Sequence, residues 1–390
     1  KNKNRFRLKT LKRFFYGSLM ESELKFWLKR LEQTPNDDKV LTALAFYYLE
    51  NPDGDKDIEY FEKAYIAKPC IETIHNYASW LSWEYGEHKQ AIASQHQALA
   101  LKPNSYYPYF AIAQFHLSVV IPLKQPFNQK TLKILAENYQ QACEKFVDTP
   151  ADFQSYNRLW FIEMLNNYTV TIALMGAYSK AENLFFKLYR LLDLPFEERL
   201  KPQVIETHYK ILLNHVRFFI LQHNKNQAIN WLKKAQKSSE ACPLEIGELY
   251  AQLDDYQTAY QLMKPQNFEH IHESWENIRY AIYQVDKSQW QKMLTSEISE
   301  LQECITNWQY ALDNPHVKHE FRRSTPTDLK SYIETTLIET SDLQALLDSK
   351  TLEKPNSDIS QQFHYFYQCN LFSYRKNLLN DDNEWLNNIQ

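Results

Sequence analysis

Residues 72–105 read ETIHNYASWLSWEYGEHKQAIASQHQALALKPNS, and this stretch decides the fold. Pro103 lies near its end, and Pro35 and Pro69 precede this proline at equal spacing. Between the prolines, small and apolar residues align as Leu44 with Ala78, Ala45 with Ser79, Ile58 with Ile92, and Ala64 with Ala98. A regular period of about 34 residues indicates stacked repeats of one supersecondary unit.

Each repeat predicts two helices, because apolar residues recur at helical spacing on both sides of a central turn. Two helices approach closely only where one of them carries little bulk, and Ala45, Ser79 and Ala113 would be such points on successive first helices. Proline then ends the second helix, because it cannot supply the N–H that the next turn requires.

This pattern resembles the tetratricopeptide repeat (TPR) family. The family's turn glycine, its alanine pair and its closing Leu-x-Pro-Asn match Gly86, Ala91, Ala98 and Leu101–Asn104. Ser82 departs from the family, which has a large aromatic residue there. The resemblance covers residues 36–263 well, and it implies an all-α fold, a right-handed α-solenoid of TPR-like helical hairpins with a helical C-terminal extension.

The chain divides into three segments on this interpretation: basic N-terminal capping helices over 1–35, a TPR-like repeat array over 36–266, and degenerate repeats with a helical C-terminal region over 267–390. The third repeat carries an insertion at 119–131, and His223 stands where the fifth repeat should have its turn glycine. Three helices are predicted beyond the array, at Met293–Leu312, 327–348 and 359–379.

The amino-acid composition argues against some classes of fold and partner. Only 5 glycines in 390 residues argue against a loop-rich or β-rich fold, and a net charge of −4 gives no reason to expect a nucleic-acid partner. The cysteines are odd in number and scattered, which favours a reducing, cytoplasmic location. They are Cys70, Cys143, Cys242, Cys304 and Cys369.

The N-terminal stretch alternates basic and apolar residues and has two interpretations. It is a capping helix that packs on the first repeat, or a segment that contacts an anionic membrane surface. An anchor removed from before Lys1 would make the protein membrane-associated.

No catalytic motif is present: the sequence has no glycine-rich phosphate loop, no GxSxG, no HExxH and no CxxC pair. His316, His319 and Glu320 follow a helix-ending Asn-Pro and are expected to form a solvated polar turn. We therefore expect no enzyme activity, no cofactor and no metal.

In TPR arrays the first helix of each pair lines a concave groove, and the resemblance places a set of aromatic and amide residues on that face. Asparagine can pair with both the N–H and the C=O of an extended peptide, and tryptophan or phenylalanine can fill pockets. The candidate peptide-binding residues are Phe46, Asn76, Trp80, Trp83, Phe110, Gln114, Asn166, Asn167, Asn214 and Arg217. The alternative is that Trp80 and Trp83 are covered by the N-terminal helix or by the next turn of the superhelix.

The expected function is a non-enzymatic protein–protein interaction scaffold or adaptor that binds a partner peptide or helix in the groove. The alternative is a ligand-gated, peptide-sensing TPR regulator of a bacterial partner. The segment ahead of the repeats, 1–35, is too short for the helix-turn-helix domain that such regulators usually carry. The sequence predicts neither the partner's identity nor an oligomeric state.

Overall fold

A computed structural model describes residues 24–50, 56–84, 86–120, 128–151, 158–266, 276–314 and 326–355. These residues contain helices and no strands. The helices are α1 (24–33), α2 (Asp38–Glu50), α3 (Lys56–Ala67), α4 (Ile71–Glu84), α5 (His88–Leu101), α6 (Tyr106–Val120), α7 (Gln129–Val147), α8 (Arg158–Leu174), α9 (Tyr178–Leu192), α10 (Pro202–Leu221), α11 (Lys225–Ala235), α12 (Pro243–Gln252), α13 (Tyr256–Met263), α14 (Glu276–Val285), α15 (Lys287–Asp313) and α16 (Pro326–Ser349). Short helical turns lie at Phe196–Arg199 and Lys264–Gln266.

Consecutive helices pack in pairs, as the repeat pattern predicts. The pairs are α2 with α3, α4 with α5, α6 with α7, α8 with α9, α10 with α11, α12 with α13, and α15 with α16. Neighbouring pairs also touch, because α3, α5 and α7 pack on α4, α6 and α8. The structure thus confirms an all-α solenoid of TPR-like hairpins.

The chain forms two compact units, the first ending at Phe196 and the second beginning at Glu197. This boundary lies inside the array predicted over 36–266. In the first unit, α1 packs its apolar face on Val40, Leu44 and Tyr48, through Leu24, Trp27, Leu28 and Leu31. In the second unit, a core cluster joins α13 to α16 through Met263, Ile278, Ile282, Trp290, Met293, Leu294, Ile298 and Leu343.

First and second helices of a hairpin differ in burial. In α4, no residue from 71 to 82 is exposed, and in α8 no described residue is exposed at all. The second helix α9 buries only one stripe, made of Ala181, Phe185, Leu188 and Leu192. A helix that is buried all round lies inside its unit, whereas an amphipathic one forms the surface. The first helices are therefore interior and the second helices exterior.

Four hairpin turns that the structure describes hold one residue in the left-handed region. Gly86 and Gly176 take it with φ of 67° and 79°, and His223 and Asp254 take it with φ of 55° and 59°. The backbone N–H of the residue after the turn residue then donates a hydrogen bond to a carbonyl near the end of the first helix. Asn224, for example, donates to the Phe219 carbonyl at 2.9 Å, which satisfies a carbonyl that the helix itself leaves unpaired. The structure confirms His223 at the position of the turn glycine.

Where the turn residue is not glycine, the next residue caps the second helix. The Asn224 side chain accepts from the Gln227 backbone N–H at 3.2 Å, and that of Asp255 accepts from Thr258 at 3.1 Å. Such caps stabilise a helix by about 1 kcal/mol. They offset the cost of holding His223 and Asp254 in a conformation that L side chains disfavour.

The later helices agree with their predicted bounds. Met293–Leu312 falls within α15 and 327–348 falls within α16. The predicted helix at 359–379, the basic stretch before residue 24, the polar turn at 316–320 and most of the insertion at 119–131 lie outside the described residues. Among the helices described, none combines the length and the apolar character that crossing a bilayer requires.

Replacing His223 by glycine should stabilise the second unit. His223 is exposed, so the change removes left-handed strain and loses little packing. We expect a gain of about 0.5–1 kcal/mol after the added flexibility of the unfolded chain is counted, measured by denaturant unfolding. His223→Ala is the control, because it removes the ring but keeps Cβ; an equal gain from alanine would contradict strain as the cause.

Candidate functional site

Two predicted groove residues, Phe46 and Trp80, lie in a hydrophobic cluster with Phe61 of α3. The Phe46 and Phe61 rings meet edge to face with centroids 5.4 Å apart. The Trp80 indole Nε1 donates to Asp57 Oδ2 at 3.3 Å. Phe46 is 5% and Trp80 4% exposed, so both are packed inside the first unit, where Phe61 covers them. Trp83 lies in α4, and its side chain is outside the described part.

Four other predicted residues converge on Tyr139 of α7. The Gln114 amide donates to the Tyr139 hydroxyl at 3.1 Å, and the Asn167 amide donates to the same oxygen at 3.5 Å. Asn166 donates to Asn167 Oδ1 at 3.5 Å, and the Phe110 ring lies 6.2 Å from the Tyr139 ring. The structure therefore brings these residues together as a buried amide–phenol network that joins α6, α7 and α8.

Tyr139 is the residue that sequence reasoning did not assign to the site. It occupies the second-helix aromatic position that Phe61 and Phe185 fill in other repeats. Its hydroxyl is the distinguishing signal, because a buried phenol needs a hydrogen-bond partner. The amides of Gln114 and Asn167 supply it.

Asn76 belongs to neither group. It is 1% exposed, and neither its amide nitrogen nor its carbonyl oxygen has a hydrogen-bond partner among the described residues. Gln95 of α5 is fully buried in the same hairpin, and within the described part of the chain both polar atoms of its side chain also lack a partner. A buried amide without hydrogen bonds costs about 1–3 kcal/mol, so these two side chains weaken the hairpin that holds them.

The last two predicted residues, Asn214 and Arg217, lie on α10 of the second unit. Asn214 is fully buried and Arg217 is half-buried. Glu248 and Arg279 follow Arg217 at equal spacing, in the same position of α12 and α14. The sequence analysis selected only Arg217. The equal spacing from Arg217 to Glu248 and from Glu248 to Arg279 is the signal that identifies the other two residues.

The charges of these three side chains alternate in sign. Glu248 and Arg279 are buried, and Arg217 is half-buried. Glu248 accepts from the Asn277 amide at 2.6 Å and from the Ile278 backbone N–H at 3.0 Å. Arg279 pairs with Glu297 at 2.7 Å. Burial lowers the pKa of Arg217 to about 10, while the neighbouring Glu245 and Glu248 oppose the fall, so Arg217 stays charged at neutral pH.

The described residues contain no group of three histidine, cysteine or acidic side chains close enough to hold a metal ion. Burial lowers the pKa of His215 to about 3. The centroid of its ring lies 4.1 Å from that of the Trp231 ring. His215 is a packing residue, because a ring this hard to protonate is a poor proton carrier near neutral pH.

One carboxyl group near the site titrates at physiological pH. Glu72 lies in the first turn of α4, one helical turn before Asn76. Burial raises the pKa of Glu72 to about 7, and the nearby Asp38 carboxylate adds to the rise, while Lys39 and Lys68 oppose it. The folded chain therefore favours the neutral form of this side chain.

Tyr139→Phe should destabilise the first unit by about 1–3 kcal/mol, because it leaves the Gln114 and Asn167 amides buried with one partner fewer. Denaturant unfolding measures the change. Tyr168→Phe is the control: its hydroxyl donates to Gln140 at 2.9 Å in a partly buried place, and its loss should cost less. Equal losses from the two variants would contradict a special role for the network.

Glu72→Gln should remove a pH dependence of stability. The pKa of Glu72 in the fold, about 7, lies above its unfolded value near 4.5, so its stabilising protonation is complete below pH 4.5 and lost as the pH rises through 7. We expect equal stabilities of variant and wild type at pH 4, and a variant more stable by up to about 3 kcal/mol at pH 8.5. Thermal unfolding at both pH values measures this; a wild type that is not the less stable at pH 8.5 would contradict it.

Comparison with known proteins gives two weak structural likenesses. No protein-family model matches the chain, and no curated protein matches it. The type IV pilus biogenesis factor PilW is similar at 16% identity and a TM-score of 0.40, over 59% of this chain and 91% of PilW. The TPR domain of P58(IPK) is similar at 9% identity and a TM-score of 0.19, over 90% of this chain and 99% of that domain. Both likenesses are too low to support an argument about function; on the evidence of its own hairpins, turns and small-residue contacts, the chain is an all-α protein of TPR-like repeats.

Proposed function

We propose that this chain is a non-enzymatic scaffold that binds a segment of a partner protein along the first helices of its first unit. The observation that carries the proposal is the set of interior amides on those helices. In the part of the chain that the structure describes, neither the amide nitrogen nor the carbonyl oxygen of the Asn76 side chain has a hydrogen-bond partner. An asparagine side chain can donate to a peptide carbonyl and accept from a peptide N–H at once. A partner backbone would therefore complete what the folded chain leaves open.

Aromatic side chains beside the amides would supply the affinity. Phe46 and Trp80 lie on α2 and α4, and Phe110 lies on α6. Buried aromatic residues carry much of the binding energy at protein interfaces. The basic clamp with which some TPR proteins hold a C-terminal carboxylate does not fit this part of the chain, so we propose an internal peptide segment or a helix as the ligand.

The burial of these residues determines how a partner would reach them. Asn76, Trp80 and Gln114 are all buried in the free chain. A partner therefore reaches them only after neighbouring helices separate. Binding that requires such a change has an association rate below the usual range of about 10⁵–10⁷ M⁻¹s⁻¹.

The cysteines fit a reducing, cytoplasmic compartment. All four that the structure describes are free thiols, and Cys304 is exposed. Burial raises the pKa of the Cys143 thiol to about 12, so this cysteine is unreactive.

The test replaces Asn76 by leucine, which keeps the shape and removes the amide. Partners captured by the full chain from a lysate of its source are identified, and the affinity and association rate of the chosen partner segment are then measured with purified components. We expect Asn76→Leu to weaken binding about tenfold or more without loss of folding, because the pair of peptide hydrogen bonds is lost. Trp80→Ala is unsuitable, because removing a buried tryptophan costs about 3–5 kcal/mol of stability.

Asn138→Leu is the matched control. Asn138 is a half-buried amide on the second helix α7, and it bonds its own helix at the Ile134 carbonyl. It should bind the partner as the wild type does. Unchanged affinity in Asn76→Leu would refute the proposed site, and partners that bind equally to the isolated second unit would refute its place in the first.

A further inference from the structure

The helix α5 is attached to the first unit by an unusual buried face. That face consists of Ala91, Ser94, Gln95 and Ala98. Its larger apolar residues Ile92 and Leu99 are only half-buried, and Leu101 is 56% exposed. Other second helices of this unit bury large apolar side chains, as α9 does with Phe185, Leu188 and Leu192. The described part of α5 therefore has no large apolar side chain fully buried.

The hairpin that α5 forms with α4 has a polar interior where the preceding hairpin has an apolar one. When the two hairpins are aligned by their closing prolines, the corresponding buried residues are Leu41 and His75, Ala45 and Ser79, Tyr48 and Ser82, and Phe61 and Gln95. The position of Gln95 is filled by Tyr139 and Phe185 in the following hairpins. Polar residues have thus replaced the hydrophobic contacts that normally hold a second helix to its first.

Hydrogen bonds compensate only in part. The Ser82 hydroxyl bonds His88 Nδ1 at 2.8 Å, which ties the start of α5 to α4, and the Tyr65 hydroxyl donates to Gln97 Oε1 at 2.9 Å. Each such bond replaces one to water, so its net contribution is small beside the burial of a phenylalanine. The side-chain amide of Gln95, at the centre of the face, makes no hydrogen bond with the described residues.

We infer that α5 separates from the first unit more readily than the second helices α3 and α9 do, and that this is where the unit opens. A segment with few buried apolar contacts opens at a lower free energy than its surroundings. Opening uncovers the polar side chains of α4, including Ser79 and Ser82.

Hydrogen exchange of the full chain tests this inference directly. Protection factors of backbone amides are compared between α5 (88–101), α3 (56–67) and α9 (178–192), which are second helices of the same unit. We expect α5 to be at least tenfold less protected than both others. Protection of α5 equal to or greater than that of α3 and α9 would overturn the inference.

A variant pair then tests the cause. Gln95→Leu restores an apolar residue to the buried face and should raise the protection of α5 at least fivefold. His96→Phe places a large apolar residue on the exposed face of the same helix and should leave protection unchanged. An increase in both, or in neither, would overturn the assignment to the polar core. The wild-type comparison involves no substitution, so it decides the order of opening even if a variant fails to fold.

Discussion

Helices in this protein touch at alanine-sized side chains, and the rest of the structure depends on that contact. Ala64, Ala98, Ala142, Ala181, Ala228 and Ala259 come from six successive second helices, and none is more than 1% exposed. Close approach at these points lets a first helix be enclosed by its partner and by a neighbouring hairpin of the same unit. The interior position of α2 and α4, and so the burial of Phe46, Asn76 and Trp80, follows from it.

The sequence predicted what depends on local spacing. Small residues at a regular period, a left-handed turn position and helix-ending prolines are properties of the chain itself, so the hairpins, the role of His223 and the long helix α15 could all be predicted. The period is not constant, however. The step from Gly176 to His223 is longer than the spacing of the early prolines, and the step from His223 to Asp254 is shorter. Counting at the early period alone therefore misses Glu248 and Arg279.

The exposure of the candidate site could not be predicted in the same way. Helical periodicity shows which face Phe46 and Trp80 occupy, but not whether another helix lies against that face. That depends on how closely neighbouring hairpins approach, which is a non-local property. In the structure Phe61 covers Phe46, and Tyr139 draws Phe110 and Gln114 into one network. The structure places Phe46 and Trp80 in one buried cluster and Phe110, Gln114, Asn166 and Asn167 around Tyr139, so these side chains are far less accessible than an open groove implies.

The two units differ in the kinds of polar side chain that they bury and in how those side chains are hydrogen-bonded or paired. The first unit uses neutral amides and hydroxyls, some shared around Tyr139 and some without partners, as in Asn76. The second uses ions that are paired or hydrogen-bonded, as in Arg279 with Glu297. Neutral groups can exchange protein partners at modest cost, while a buried charge that loses its partner is heavily penalised.

The alternating signs of Arg217, Glu248 and Arg279 have a consequence for assembly of the second unit. If a folding error brought α10 against α14, the like charges of Arg217 and Arg279 would replace the attraction between Arg217 and Glu248. A buried charge that loses its oppositely charged neighbour is penalised, so the alternation of sign favours the native order of these helices.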